Sequence, residues 1–285
     1  MVGELKQFSS LNRPIRLYLI FFVIAWLSHL IQWESGLSQS AMILITAFFY
    51  ILIFLVVIRF ITKDGEPIQS MGLQLAGFGK IIFLAAAMGL ISQIIWAVLI
   101  SAATGVLVFD INAMPVEMFF AQILVMAFLT AFVEESAFRG YIQKRLTNVY
   151  GFSFSLVIVS ILFMLPHFQV YSYYKLADPA LQAAIGVTSE QVAKVVTSAV
   201  IQTAISITAL GFFTGYLYNK SGQNVVVPVA FHTTFNIGGL FLLSFSNVQT
   251  ASLLLDNGLF VAMWIIWTAI VAALVLVTVK KTSKS

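Results

Sequence analysis

The chain has no cysteine and few charged residues. Without a cysteine among its 285 residues, it can form no disulfide, thiolate metal site or cysteine nucleophile, and its redox compartment is unreadable. Charged residues make up 9% of the chain and hydrophobic residues 60%, whereas about a quarter of the residues in soluble domains are charged. The composition therefore predicts a polytopic membrane protein with no soluble second domain.

Eight segments approach the about 20 mainly apolar residues that a helix needs to cross the hydrocarbon core. We predict an all-α bundle of about eight transmembrane helices, forming a single integral membrane domain over residues 1–285. Three cations precede the first apolar run, which has no small-residue cleavage pattern, so we expect an uncleaved first span. The segments are roughly 16–33, 41–60, 81–103, 118–138, 153–174, 195–218, 225–245 and 258–279.

The placement of charge supports this helix count. If the N-terminus is cytoplasmic, Lys175 and Lys194 are the only cations among the 15 lysines and arginines to fall on the outer side, as the positive-inside rule expects. We therefore predict that both termini are cytoplasmic and that the protein lies in the cell (plasma) membrane. The net charge of +4 indicates attraction to anionic membrane lipids rather than to nucleic acid.

The fourth apolar segment contains the acidic pair Glu134 and Glu135, followed by Arg139. Carboxylates at membrane depth are costly and indicate a functional site by default. Glu135 and Arg139 are four residues apart on one helical face, in the favoured order for an ion pair. Glu134 is rotated by about 100° from Glu135, so we expect that it cannot share Arg139 comfortably. The plain alternative is that both acids are solvated at a helix end.

The fifth segment brings a histidine to the depth of this pair. A turn near Tyr150 and Gly151 divides the chain almost midway between Glu134 and His167, so an antiparallel hairpin aligns the two side chains. Pro166 interrupts the helix just before the histidine. We predict that Glu134 and His167 lie together.

The seventh segment adds His232 and Asn236, four residues apart on one helical face. Pro228 loosens the helix one turn earlier. Two histidines in apolar helices are unfavourable for packing alone. The third histidine, His29, has no such companions in the sequence, and we expect a structural or interfacial role for it.

A carboxylate, two imidazoles and an amide suit hydrolysis of an amide bond in either of two ways. In one, Glu134 with His167 takes a proton from water, and His232 and Asn236 stabilise the oxyanion. In the other, Glu134, His167 and His232 ligate a zinc ion that activates the water. The residues leave both open, so the expected cofactor is either none or Zn²⁺.

The three motifs together resemble those of a known family. Glu-Glu-x-x-x-Arg, Phe-x-x-x-His and His-x-x-x-Asn on successive hydrophobic stretches resemble the type II CAAX prenyl protease and bacteriocin-processing (CPBP, or Abi) intramembrane proteases, over a core of about residues 118–240. The segment 71–73 is similar to a common lead-in. The resemblance implies that Glu134, His167, His232 and Asn236 are catalytic and that Glu135 and Arg139 support them.

The implied activity is cleavage of a membrane-associated peptide or protein near the cytoplasmic side. A lipidated CAAX-like tail, a leader peptide or a transmembrane segment are all suitable substrates. Two other functions stay open: a non-catalytic immunity or adaptor protein of the same fold, and a small transporter or proton relay, although no inverted repeat supports transport.

The sixth segment contains a Gly-x-x-x-Gly spacing at Gly211 and Gly215, for which we predict close helix packing. Its polar residues Gln202, Thr203, Ser206 and Thr208 either line a polar cavity or form hydrogen bonds between helices.

Overall fold

The computed structural model describes residues 2–34, 38–110, 114–168, 188–246 and 257–282. Eight long or medium helices, numbered α1 to α8, make up nearly all of this described part. They are α1 (Val2–Glu34), α2 (Gln39–Lys63), α3 (Gly79–Thr104), α4 (Val116–Tyr150), α5 (Phe152–His167), α6 (in three parts, Ser189–Gln202, Thr203–Ile207 and Thr208–Lys220), α7 (Val226–Phe245) and α8 (Asn257–Thr282).

The eight helices correspond one to one with the predicted segments, and the all-α polytopic membrane fold is confirmed. Seven of the described helices are long and apolar enough to cross a membrane. α5 is the exception, because its 16 residues span only about 24 Å, less than the hydrocarbon core. The predicted fifth span extended to residue 174, and residues 169–174 lie outside the described part.

α4 is longer than its predicted span and is not uniformly α-helical. The stretches Ile123–Leu129 and Ser136–Gln143 form wider π-helical turns on either side of Thr130–Glu135. π-Helical turns inside α-helices occur frequently at functional sites. The short α-helical stretch between them ends with the two adjacent glutamates.

α5 begins after Gly151 and ends at the turn that contains Pro166. Gly151 has a positive φ of 80°, a conformation that glycine adopts without strain, and it separates α4 from α5. At the other end, the segment Leu165–His167, which contains Pro166, forms a single 3-10 turn. His167 therefore lies in the last turn of α5.

Glycines allow two close helix contacts around the site. A Cβ at Gly89 of α3 would overlap the backbone of Phe231 and Phe235 in α7, so only glycine fits there. Gly211 and Gly215 let α6 approach α5: Cβ atoms at these positions would lie 3.1 Å from Ser160 Cα and 2.7 Å from Leu156 Cδ1. The predicted close packing at the Gly-x-x-x-Gly spacing is confirmed.

One end of the bundle, formed by residues 61–73, 143–152 and 220–226 and here called the basic end, is closed by ionic contacts. Asp64 pairs with Arg13 and Arg145. Glu66 pairs with Lys144 at 3.0 Å and with Arg145 at 3.2 Å. These pairs tie the segment after α2 to α1 and to the end of α4.

The lead-in segment seals the same end by packing. Met71 is fully buried, and a Cβ at Gly140 of α4 would lie 3.1 Å from its side chain. Gly72 has a positive φ of 85° and lies directly against the carbonyl of Gln223, leaving no space for a side chain. Its own carbonyl accepts a hydrogen bond of 2.9 Å from Val225 N.

Candidate active site

Glu134 faces two imidazole rings. Its Oε2 lies 3.9 Å from Nε2 of His167 and 3.9 Å from Nε2 of His232. The predicted meeting of Glu134 and His167 across the α4–α5 hairpin is therefore confirmed. Glu134 is only 3% exposed, whereas the side chain of His167 is 28% exposed. The carboxylate thus lies at the bottom of the site and His167 closer to its opening.

Hydrogen bonds on the far side of each ring fix the orientation of both histidines. Nδ1 of His167 lies 2.8 Å from the carbonyl oxygen of Phe163, and Nδ1 of His232 lies 2.9 Å from Oε1 of Glu135. Because a carbonyl and a carboxylate only accept hydrogen bonds, both Nδ1 atoms carry a proton and donate it. In their neutral forms, both rings therefore direct the lone pair of Nε2 towards Glu134.

His232 connects the two adjacent glutamates. Arg139 pairs with Glu135, as predicted, but the two acids also share a partner that the sequence did not predict. His232 contacts Glu135 through Nδ1 at 2.9 Å and Glu134 through Nε2 at 3.9 Å. The two ring nitrogens point to different sides, so one imidazole reaches two carboxylates that are about 100° apart on α4.

Arg139 is held on several sides although it lies inside the bundle. Its Nε is 3.1 Å from Oε2 of Glu135, which confirms the predicted ion pair. Nε and Nη2 also donate to the hydroxyl of Thr214, and Nη2 donates to the carbonyl of Gly211 at 3.1 Å. Neither Arg139 nor Glu135 has any exposed surface. The guanidinium therefore links α4 to α6 and compensates the buried carboxylate.

The aromatic residue of the second motif lies at the centre of this arrangement. Phe163 is fully buried, and the guanidinium carbon of Arg139 lies 4.7 Å from its ring centroid. The ring also contacts His167 and His232, with centroid distances of 5.1 and 5.9 Å. Phe163 thus holds both imidazoles and the arginine in place through one ring.

Tyr50 is a site residue that the sequence did not reveal. Its hydroxyl donates a hydrogen bond of 2.6 Å to Oε1 of Glu134. Tyr50 belongs to α2 and is one of several aromatic residues in an apolar span. Tyr50 differs from the other aromatic residues of α2 only because it lies where α2 packs against the middle of α4. The bond occupies one oxygen of Glu134 and leaves Oε2 to face the imidazoles.

A cavity of about 360 Å³ opens beside these groups. Glu134, His167, His232 and Asn236 all contribute to its wall. Of the polar residues on α6, Gln202 and Ser206 also line it. The structure therefore gathers all four residues predicted to be catalytic around one space, and it favours the cavity-lining role for Gln202 and Ser206.

His29 has a neighbour that the sequence did not predict. α1, to which His29 belongs, contacts the turn that carries His167. α1 thus packs beside the end of α5, and the structural or interfacial role expected for His29 stays a prediction.

The donor set of Glu134, His167 and His232 is of a type that binds zinc, and each histidine has the Nδ1 partner that zinc ligands have. Among the described residues, however, no three His, Cys, Asp or Glu side chains are close enough together to hold a metal ion.

Comparisons with known proteins agree with the three motifs. Residues 116–238 match the model of the family described as type II CAAX prenyl endopeptidase Rce1-like. The matched segment begins at the start of α4 and ends in α7, and it includes all six predicted site residues. No curated protein matches the chain.

Proposed function

Because residues 116–238 place this chain in the Rce1-like family of type II CAAX prenyl endopeptidases, we propose that it is an intramembrane endopeptidase in which Glu134 is the general base. The observation that carries the proposal is the convergence of two oriented imidazoles and a tyrosine hydroxyl on this one carboxylate. The substrate class is a membrane-associated or lipidated peptide or protein.

In the proposed reaction, a water molecule binds between Glu134 and His167. It donates one hydrogen to Oε2 of the carboxylate and the other to Nε2 of the ring. Glu134 takes a proton as the water oxygen attacks the carbonyl carbon of the scissile amide. Tyr50 holds the other carboxylate oxygen and so keeps Oε2 directed at the water.

The negative charge that develops on the substrate oxygen requires hydrogen-bond donors. Asn236 supplies an amide N–H. His232 already donates through Nδ1 to Glu135, so it donates through Nε2 only as the imidazolium, and Glu135 provides the negative charge that pairs with this cation. Glu134 then passes its proton to the amide nitrogen, the C–N bond breaks, and the products are a carboxylic acid and an amine, which become a carboxylate and an ammonium ion when the second proton of the water passes from the acid to the amine.

The test compares two glutamates of α4. Purified protein in detergent micelles is incubated with a farnesylated CAAX-type reporter peptide and with a library of membrane peptides, and new termini are read by mass spectrometry. We expect cleavage by the unmodified protein and by Glu117→Gln, an exposed position on the same helix, and none by Glu134→Gln.

The adaptor alternative gives the opposite result. If the unmodified protein cleaves nothing and Glu134→Gln retains the biological activity, the catalytic proposal fails.

The zinc alternative is tested by metal analysis of the purified protein and by activity after chelation. We expect less than stoichiometric zinc and full activity, so one tightly bound zinc ion per chain that is needed for cleavage would refute the metal-free mechanism.

A further inference from the structure

The cavity extends from Glu134 in one direction along every helix that lines it. On α4, the lining residues are Met126, Thr130 and Glu134, and none follows Glu134. On α7, they run from His232 to Leu243, a distance of about 16 Å along the helix. Both sets lead away from the basic end.

The remaining helices give the same direction. On α6, the lining runs from Leu210 back to Gln202, whereas the basic end lies at the other terminus of this helix, at Lys220. Trp264 lies nearer the start of α8 than its end, and Tyr50 lies at the middle of α2. Exposure rises along the same path, because Ser206 is buried and Gln202, one turn further out, is exposed.

Between Glu134 and the basic end, the bundle is filled. Arg139, Phe138 and Tyr141 are fully buried, and Gln143 is 1% exposed. Beyond them lie the Met71 contact with Gly140 and the ion pairs of Asp64 and Glu66. Within the described residues, a peptide that approached from this end would have to displace the buried Arg139 and its partners.

We propose that substrates reach Glu134 from the end of the bundle opposite the basic end. With the basic end in the cytoplasm, as the positive-inside rule predicts, this is the extracytoplasmic side. The labelling experiment described below decides between this route and the cleavage near the cytoplasmic side that the sequence led us to expect.

The substrate class follows from the cavity wall, and this step rests on the proposed function. Asn236, Gln202 and Ser206 offer hydrogen bonds to a peptide backbone, and Leu240, Leu243 and Phe235 contact apolar side chains. The substrate is a membrane-anchored peptide with apolar residues around the scissile bond, presented from the extracytoplasmic half of the bilayer.

The absence of cysteine from the chain provides a clean background for a test that does not depend on catalysis. Single cysteines are introduced by Gln202→Cys and Ser206→Cys in the cavity. Ser40→Cys, exposed at the start of α2, and Gln69→Cys, exposed at the basic end, mark the two sides. A charged, membrane-impermeant thiosulfonate is then applied to intact cells and to inverted vesicles.

We expect both cavity cysteines to be labelled at least about tenfold faster from the side that labels Ser40→Cys, since a charged reagent does not cross the hydrocarbon core. Labelling of Ser40→Cys in intact cells and of Gln69→Cys in inverted vesicles establishes that this side is extracytoplasmic. Labelling of the cavity from the side of Gln69→Cys, or from neither side, would overturn the proposal, as would a reversed pattern of the two markers. The outcome is independent of cleavage in micelles, where both ends are accessible.

Discussion

Oε1 of Glu134 accepts a hydrogen bond of 2.6 Å from the hydroxyl of Tyr50. Tyr50→Phe removes this donor and keeps the ring. Because a hydrogen bond to a charged group contributes about 1.5–3 kcal/mol, we expect kcat to fall about 10- to 100-fold. KM should stay unchanged, since the hydroxyl binds the base rather than the substrate.

The matched control is Tyr18→Phe. Tyr18 lies in α1, and its buried hydroxyl has no hydrogen-bond partner in the described part of the chain. We expect wild-type kinetics for this variant. For Tyr50→Phe and Tyr18→Phe, we measure the steady-state rate of cleavage of the reporter peptide and the Tm in the same micelles. A Tyr50→Phe variant with normal kcat but lowered Tm would assign the tyrosine a structural role alone.

Arg139 cannot be replaced by lysine without loss of stability. The guanidinium uses two nitrogens, with Nε contacting Glu135 and Thr214 and Nη2 contacting Thr214 and the carbonyl of Gly211, whereas an ammonium group presents a single charged atom. We expect Arg139→Lys to lower the free energy of unfolding by about 2 kcal/mol or more. Thermal unfolding measures this, with Arg59→Lys at an exposed position of α2 as the control. Equal Tm values for the two variants would contradict the anchoring role.

Gly89→Ala should destabilise the protein strongly. The new methyl group meets the backbone of α7 at Phe231 and Phe235, so the helices must separate, and overpacking of this kind costs about 1–3 kcal/mol. Gly79→Ala, on the same helix, is the control because nothing lies within 4 Å of its Cβ. Since α7 also carries His232 and Asn236, cleavage should fall together with Tm in Gly89→Ala. Retention of both would contradict the close contact of α3 with α7 at this glycine.

Acid should weaken the basic end through Glu66. Burial raises the pKa of this carboxyl, but hydrogen bonds from Ser70 and Lys144 and the charges of Arg145 and Lys144 outweigh it, so its pKa lies below the usual value of 4.5. A group whose pKa is lowered by folding stabilises the folded state above its unfolded pKa, and this stabilisation is lost as the pH falls through the folded pKa.

We therefore expect Tm to decrease below about pH 4.5, and to decrease less in Glu66→Gln, which has no carboxylate to protonate. Glu117→Gln should follow the wild-type curve. Thermal unfolding across pH 3–7, at constant salt and detergent, measures the difference. Identical acid responses of the wild type and Glu66→Gln would show that the ion pairs of Glu66 contribute nothing to stability.

The sequence predicted those parts of the site that depend on positions along one helix or one hairpin. The Glu135–Arg139 pair follows from helical spacing, and the meeting of Glu134 with His167 follows from the turn at Gly151. Tyr50 and Gly89 could not be predicted in this way, because their roles arise from which helices are neighbours in the bundle. The contact of His232 with both glutamates was not predicted for a different reason, because it depends on the two ring nitrogens pointing to different sides.

The orientation of the two imidazoles has a consequence for the protons of the site. With both Nδ1 atoms donating elsewhere, the lone pairs of two Nε2 atoms and one carboxylate oxygen point into the same small volume. Three acceptors facing one another repel unless a hydrogen lies between them. A hydrogen-bond donor in this volume, such as a water molecule, is therefore shared among Glu134, His167 and His232, and substitution of any one of them removes one of its acceptors.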